Sequence, residues 1–179
     1  MIEGIIIEKF KKDDIEQAKE LLDIVISQNF KNNNITDQKE IEAEINAQIK
    51  LVYDYFENIA TCTSMFGAKL NNKLIGIVAI GNQTPKIKKH IEEKLKNVLE
   101  IKNLYILPEY QKQGLGKKLF NVACESLLRD RQKQFMLYSS FKTGQTYWHK
   151  MLGKPYRTIN ENNVTRKIWL QKIKFIEEK

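Results

Sequence analysis

Between Leu99 and Leu127 the chain reads LEIKNLYILPEYQKQGLGKKLFNVACESL, and this stretch constrains the fold more than any other. The apolar run Leu104 to Leu107 has the character of a strand end. Pro108 has no N–H to offer a central ladder, so the strand stops there. Gln111, Lys112, Gln113, Gly114, Leu115 and Gly116 then form a glycine-containing loop. Beyond it Leu115, Leu119, Val122, Ala123 and Leu127 recur at helical spacing and give one apolar face. The stretch predicts a buried strand, a tight loop and an amphipathic helix in succession.

The loop has two readings. A helix start leaves backbone N–H groups without partners, and its dipole favours negative charge. Gly114 and Gly116 let the backbone approach a ligand closely or take positive φ, while Lys112, Lys117 and Lys118 add cationic charge. Together these make a seat for phosphate or pyrophosphate. In the other reading the turn is ordinary and the glycines only ease packing. Two nucleotide motifs are excluded. A Walker loop needs a hydroxyl residue after Gly-Lys, and here Lys118 follows Lys117. The dinucleotide fingerprint needs a third glycine where Leu119 stands.

The segment LYILPEYQKQGLGKKL resembles the central motif of the GCN5-related N-acetyltransferases, the GNAT superfamily. Its signature is Gln or Arg, two residues, Gly, one residue, then Gly or Ala, and Gln111, Gly114 and Gly116 fill it without a gap. The flanking Leu104-Tyr105-Ile106, Pro108-Glu109-Tyr110 and Leu119 follow the same pattern. The resemblance favours the phosphate seat. It implies a three-layer α/β fold with a mixed, mostly antiparallel sheet flanked by helices. It also implies acetyl-CoA as cosubstrate: backbone groups of Leu104 and Ile106 hold the pantetheine arm, and amides from Gln111 to Gly116, with Lys117 beside them, hold the pyrophosphate.

The rest of the chain is consistent with one domain spanning 1–179. Ile2 to Ile7 reads as a first strand at an edge. A helix from Ile15 to Ser27 follows Asp13 and Asp14, with Ile15, Ala18, Leu22 and Val25 on one face. Lys31 to Asn34 reads as a polar loop. A longer helix follows Asp37, with Glu40 placed for a capping box and a stripe of Ile41, Ile45, Ile49, Val52 and Phe56. Tyr53, Tyr55 and Phe56 read as core, or by resemblance as lining for an acceptor pocket. Thr61 to Leu70 and Lys73 to Ile80 are two strands around an Asn71-Asn72 hairpin turn. Ile87, Ile91 and Leu95 predict a short helix from Lys86 to Lys96 that covers the sheet. Gln134 to Ser140 is a further strand, and Gly144 to Leu152 a helix ended by Gly153. Tyr156 to Ile159 and Val164 to Gln171 form a last hairpin, and the tail Lys172 to Lys179 is charged.

Composition excludes several functions. The net charge is +8, but the basic residues are dispersed among acids, as in KKHIEEKLK, so no nucleic-acid partner is expected. No apolar stretch has the length of a membrane span, and the N-terminal apolar run is too short for a secretory signal. Cys62 and Cys124, and His90 and His149, lack metal-ligand spacing, so no metal is expected. Two unpaired cysteines fit a reducing, cytoplasmic location.

Three residues are candidates for proton transfer. Glu100 is a carboxylate on a mostly apolar strand, where burial would raise its pKa toward that of a working base. Alternatively it is a solvated residue at the strand start, paired to Lys102. Histone-acetylating members of the family carry a catalytic glutamate at the same distance before the motif. In the family the late helix often ends in a pattern like Leu-Tyr-x-x-x-Gly-Phe, whose tyrosine protonates the departing thiolate. Aligning Gly153 puts Trp148-His149 at the Leu-Tyr position, with Tyr147 two residues early. Tyr147 or His149 is then the acid, or neither acts. The resemblance implies direct transfer of an acetyl group to a primary amine of a small molecule or protein, and a homodimer by analogy. A transferase using another acyl-CoA, and a non-catalytic acyl-CoA-binding module, are the alternatives.

Overall fold

The computed structural model describes residues 4–161 and 164–174. Seven strands form one sheet: β1 (Ile6–Lys9), β2 (Ser64–Leu70), β3 (Lys73–Gly81), β4 (Glu100–Ile106), β5 (Gln134–Ser139), β6 (Arg157–Glu161) and β7 (Val164–Lys172). Their spatial order is β1-β2-β3-β4-β5-β7-β6, and every neighbouring pair is antiparallel except β4 and β5. Five helices accompany them: α1 (Ile15–Asn32), α2 (Gln38–Phe56), the single turn α3 (Pro85–Lys88), α4 (Leu115–Arg129) and α5 (Lys142–Leu152). Residues 74–81 of β3 are all buried, so both its faces are covered. Both α1 and α4 pack on β3 and β4. The mixed, mostly antiparallel α/β architecture matches expectation.

The helices form where apolar spacing and caps coincide. The side chain of Asp37 accepts from the N–H groups of Lys39 and Glu40 at 2.9 and 3.3 Å, which starts α2. Helix α1 runs past Ser27 to Asn32 because its buried stripe continues to Phe30, whose ring meets Phe141 at 5.1 Å. The polar loop is thereby shortened, and Asn34 turns the chain at φ 57°. On α2, Ile41 and Val52 are buried and Tyr55 and Phe56 pack on the core, but Tyr53 is 39% exposed and corrects the core reading for that residue. The Asn71-Asn72 turn is confirmed by φ values of 49° and 63°, which suit the twist of a two-residue hairpin. The first strand is Ile6–Lys9 rather than 2–7, and the part of that expectation on residues 1–3 lies outside the described residues. The second strand begins at Ser64, not Thr61. The charged tail beyond residue 174 also lies outside the described residues.

The largest departure is the helix expected from Lys86 to Lys96. Only α3 and a 3-10 turn at Glu93–Leu95 form, with Glu92 extended between them at ψ 151°. An eleven-residue helix would carry the chain about 16 Å in one direction. Instead the buried Gln83 amide donates to the carbonyls of Leu95 and Val98, both at 2.7 Å, and draws the ends of the segment together. Ile87, Leu95 and Val98 still reach a core, a second one shared with Met136, Ile159 and Ile168.

The join between β4 and β5 is short. Their pairing consists of Glu100 opposite Met136. Beyond that rung the strands part, and β4 carries a bulge toward β3: Ile77 faces Tyr105, but Ala79 faces Lys102. Asn103, inside the bulge, has φ 53°.

Candidate active site

The glycine loop closes against the end of β4. Gln111 donates from Nε2 to the carbonyl of Ile106 at 2.8 Å, tying the loop to the strand it follows. Lys112 takes φ 60° and Gly114 φ 87°, and Gly114 caps α4. Leu115 is buried and anchors the first turn. The first amides of α4 stand at this turn, with Lys112 and Lys117 nearby in sequence.

Helix α5 brings Tyr147 to this turn. A Cβ on Gly116 would lie 2.7 Å from the Tyr147 hydroxyl and 3.5 Å from Cδ1 of Ile106, so a glycine is required where the hydroxyl reaches in. The Tyr147 Oη is buried and has no hydrogen-bond partner. Burial pushes its pKa up to about 12, so it is a neutral donor near neutral pH. Its ring stacks edge-on against Trp148 at 4.9 Å, and Trp148 is core, as expected. His149, two residues on, points elsewhere on the helix and is exposed. The structure therefore joins Tyr147, and not His149, to the loop.

Glu100 stands at the opposite end of β4 from Ile106, six strand steps or about 20 Å of backbone away. It is 3% exposed, so the solvated alternative does not hold, although the pairing with Lys102 does. Its Oε2 accepts from the Thr84 N–H at 2.8 Å and lies 3.3 Å from Lys102 Nζ. Burial raises the carboxyl pKa, and Lys102 and the Thr84 amide offset only part of that. Lys102 is itself buried and donates to the carbonyls of Thr61 and Asn82 at 3.2 and 2.5 Å. One ammonium thus fixes Glu100 and both chain segments that flank the hairpin of β2 and β3.

Sequence reasoning missed Asn103. Its side-chain Nδ2 is buried without a partner, on the bulge between Lys102 and Leu104. An asparagine in the middle of a strand was the available signal, because asparagine tolerates positive φ. Asn103 Nδ2 on β4, Tyr147 Oη on α5 and Thr84 Oγ1 ahead of α3 are thus buried donors without acceptors. Cys62 and Cys124 are buried with thiol pKa values pushed up to about 12, so neither is a ready nucleophile. Among the described residues no group of His, Cys, Asp or Glu could hold a metal ion, and no helix is long and apolar enough to cross a membrane.

A mixed sheet that parts between its two parallel strands, beside a glycine-started helix, defines the class of this α/β protein. Residues 19–150 match the model of the acetyltransferase (GNAT) family, and the chain belongs to that family. It is an N-acetyltransferase of the class that uses acetyl-CoA. No curated protein matches it. Similar solved structures include PaiA N-acetyltransferase from Thermoplasma acidophilum in complex with coenzyme A. That protein is 18% identical with a TM-score of 0.68, over 92% of this chain and 98% of the other. YncA from Salmonella typhimurium, with its cofactor acetyl-CoA, is 12% identical with a TM-score of 0.67, over 96% and 95%. Ribosomal-protein-alanine N-acetyltransferase from Brucella melitensis is 10% identical with a TM-score of 0.67, over 93% and 99%. These likenesses establish a shared fold.

Proposed function

We propose that the protein transfers an acetyl group from acetyl-CoA directly to a primary amine within a ternary complex, with Tyr147 as the proton donor. The observation that carries this reading is the Tyr147 hydroxyl, buried without an acceptor and pressed against Gly116 at the start of α4. Such a group costs about 1–3 kcal/mol when left unpaired, so it marks a place that a ligand completes. Bound acetyl-CoA supplies an acetyl group activated as a thioester. Amides from Gln111 to Gly116 and the ammonium groups of Lys112 and Lys117 hold the pyrophosphate. Backbone groups of Leu104 and Ile106 hold the pantetheine arm, with Asn103 as a further donor. Glu100 takes the proton that the amine must lose. Its carboxylate is buried and already engaged, so it works through a water it orients. Tyr147 donates to the leaving sulfur and is reprotonated from solvent.

The test is calorimetric titration with acetyl-CoA, with desulfo-CoA and NAD as controls, followed by turnover of Tyr147→Phe and His149→Ala at saturating donor. Tyr147→Phe should slow turnover about 100-fold with acetyl-CoA affinity little changed, and His149→Ala should not. The reverse pattern transfers the role to His149. Unchanged turnover in both removes the side-chain acid.

A further inference from the structure

The chain also places one of its own lysines at the opening between β4 and β5. The turn α3 follows Thr84, whose N–H holds the Glu100 carboxylate at 2.8 Å. Lys86 leaves this turn toward α2 and β5. Its Nζ is 3.6 Å from the Glu44 carboxylate and 5.9 Å from the centre of the Tyr138 ring. Tyr138 lies two residues past Met136, where β5 has already parted from β4. The charges of Arg166 on β7, Glu44 and Glu100 all reach Tyr138. Neither contact of Lys86 is tight, and its side chain is 56% exposed on an unbranched stem. The amine is free to move. Lys88 and Lys89, on and just after the same turn, line a cleft with Asn82, Pro85, Lys96 and Asn97, of which Lys86 is not a part.

We propose that Lys86 is an acceptor of the protein's own acetyl transfer, modified within a single molecule. The inference rests on acetyl transfer at this site and names one amine that the site takes. The Lys86 ammonium gives one proton through water to Glu100, and from there to solvent. The free Nζ attacks the thioester carbonyl carbon of acetyl-CoA. The N–C bond forms and the C–S bond breaks. The nitrogen loses a second proton to solvent, and the thiolate takes one from Tyr147, which solvent restores. The sum is ammonium and thioester to amide, thiol and one proton. The amide carries no charge, so Glu44 loses its cation and is left facing the opening.

The full chain is incubated with isotope-labelled acetyl-CoA, and labelling of Lys86, Lys88 and Lys89 is followed by peptide mass spectrometry. Lys86 should label at least about tenfold faster than its two neighbours, because its mobile amine starts on the side of α3 that faces β5, within the same molecule as the donor. The rate per molecule should not change on dilution of the protein, excess desulfo-CoA should suppress it, and Lys86→Arg should show no label at that position. Equal labelling of the three lysines overturns the proposal, and so does a rate that falls with dilution. Calorimetry on the same protein separates the two levels. Acetyl-CoA binding without preferential Lys86 labelling overturns this proposal alone, while absence of binding overturns the acetyl-transfer reading with it.

Discussion

Glu100 and Lys102 are held in one buried contact, and each makes the other tolerable. Lys102→Met leaves a carboxylate buried beside Thr84 with no cation. The expected loss is about 3–5 kcal/mol by urea unfolding at pH 8, and Glu100→Gln in the same chain should recover most of it. The pH dependence has a definite sign. The folded-state pKa of Glu100 is raised, so the buried carboxyl is no burden below about pH 4.3, where it is protonated folded or unfolded. Stability is lost as pH rises from there through the folded pKa, because the unfolded chain ionises more readily. Glu100→Gln should remove that slope, and its stability relative to the parent should therefore rise across this window. The same variant should lose about 100-fold in turnover if Glu100 is the base, together with the acid limb it sets. A parallel pH–rate profile removes Glu100 from the chemistry.

Two glycines at the start of α4 are required for different reasons. Gly114 sits at φ 87° with nothing within 4 Å of an added Cβ, so Gly114→Ala costs only backbone strain, about 1–2 kcal/mol. Gly116→Ala instead drives a methyl into the Tyr147 hydroxyl. Its melting temperature should fall, and Tyr147→Phe added to it should restore the temperature. If it does not, the contact is not what requires the glycine. The strand, loop and helix of this region were legible in the sequence because their signals are local: Pro108 ends a ladder, the glycines permit the turn, and leucines repeat along one face. The stretch from Lys86 to Lys96 was not. Its isoleucines and leucine fit a helix, but the Gln83 amide that folds it back acts between residues 12 and 15 apart. The choice between Tyr147 and His149 depends on how α5 meets α4, and no spacing within α5 contains that. Asn103 stayed hidden because its unpaired amide exists only once the bulge has formed.

At the scale of the molecule the sheet is two sheets in series, β1 to β4 and β5 to β7. Acetyl-CoA at about 100 times its dissociation constant should raise stability by about 2.7 kcal/mol. Hydrogen exchange should locate where. Amides of 102–106 and 137–139 that face the opening should exchange faster than those of β3 in the free protein and slow most on binding. Uniform slowing over the sheet would mean that the ligand sits elsewhere. The single rung between Glu100 and Met136 also has a mechanical meaning. Tension applied across the strands, between the edges at β1 and β6, crosses many hydrogen bonds everywhere except at that one line. The molecule carries a built-in seam, and under load it should tear there first, with the helix-bearing crossover from β4 to β5 left as the tether between two halves.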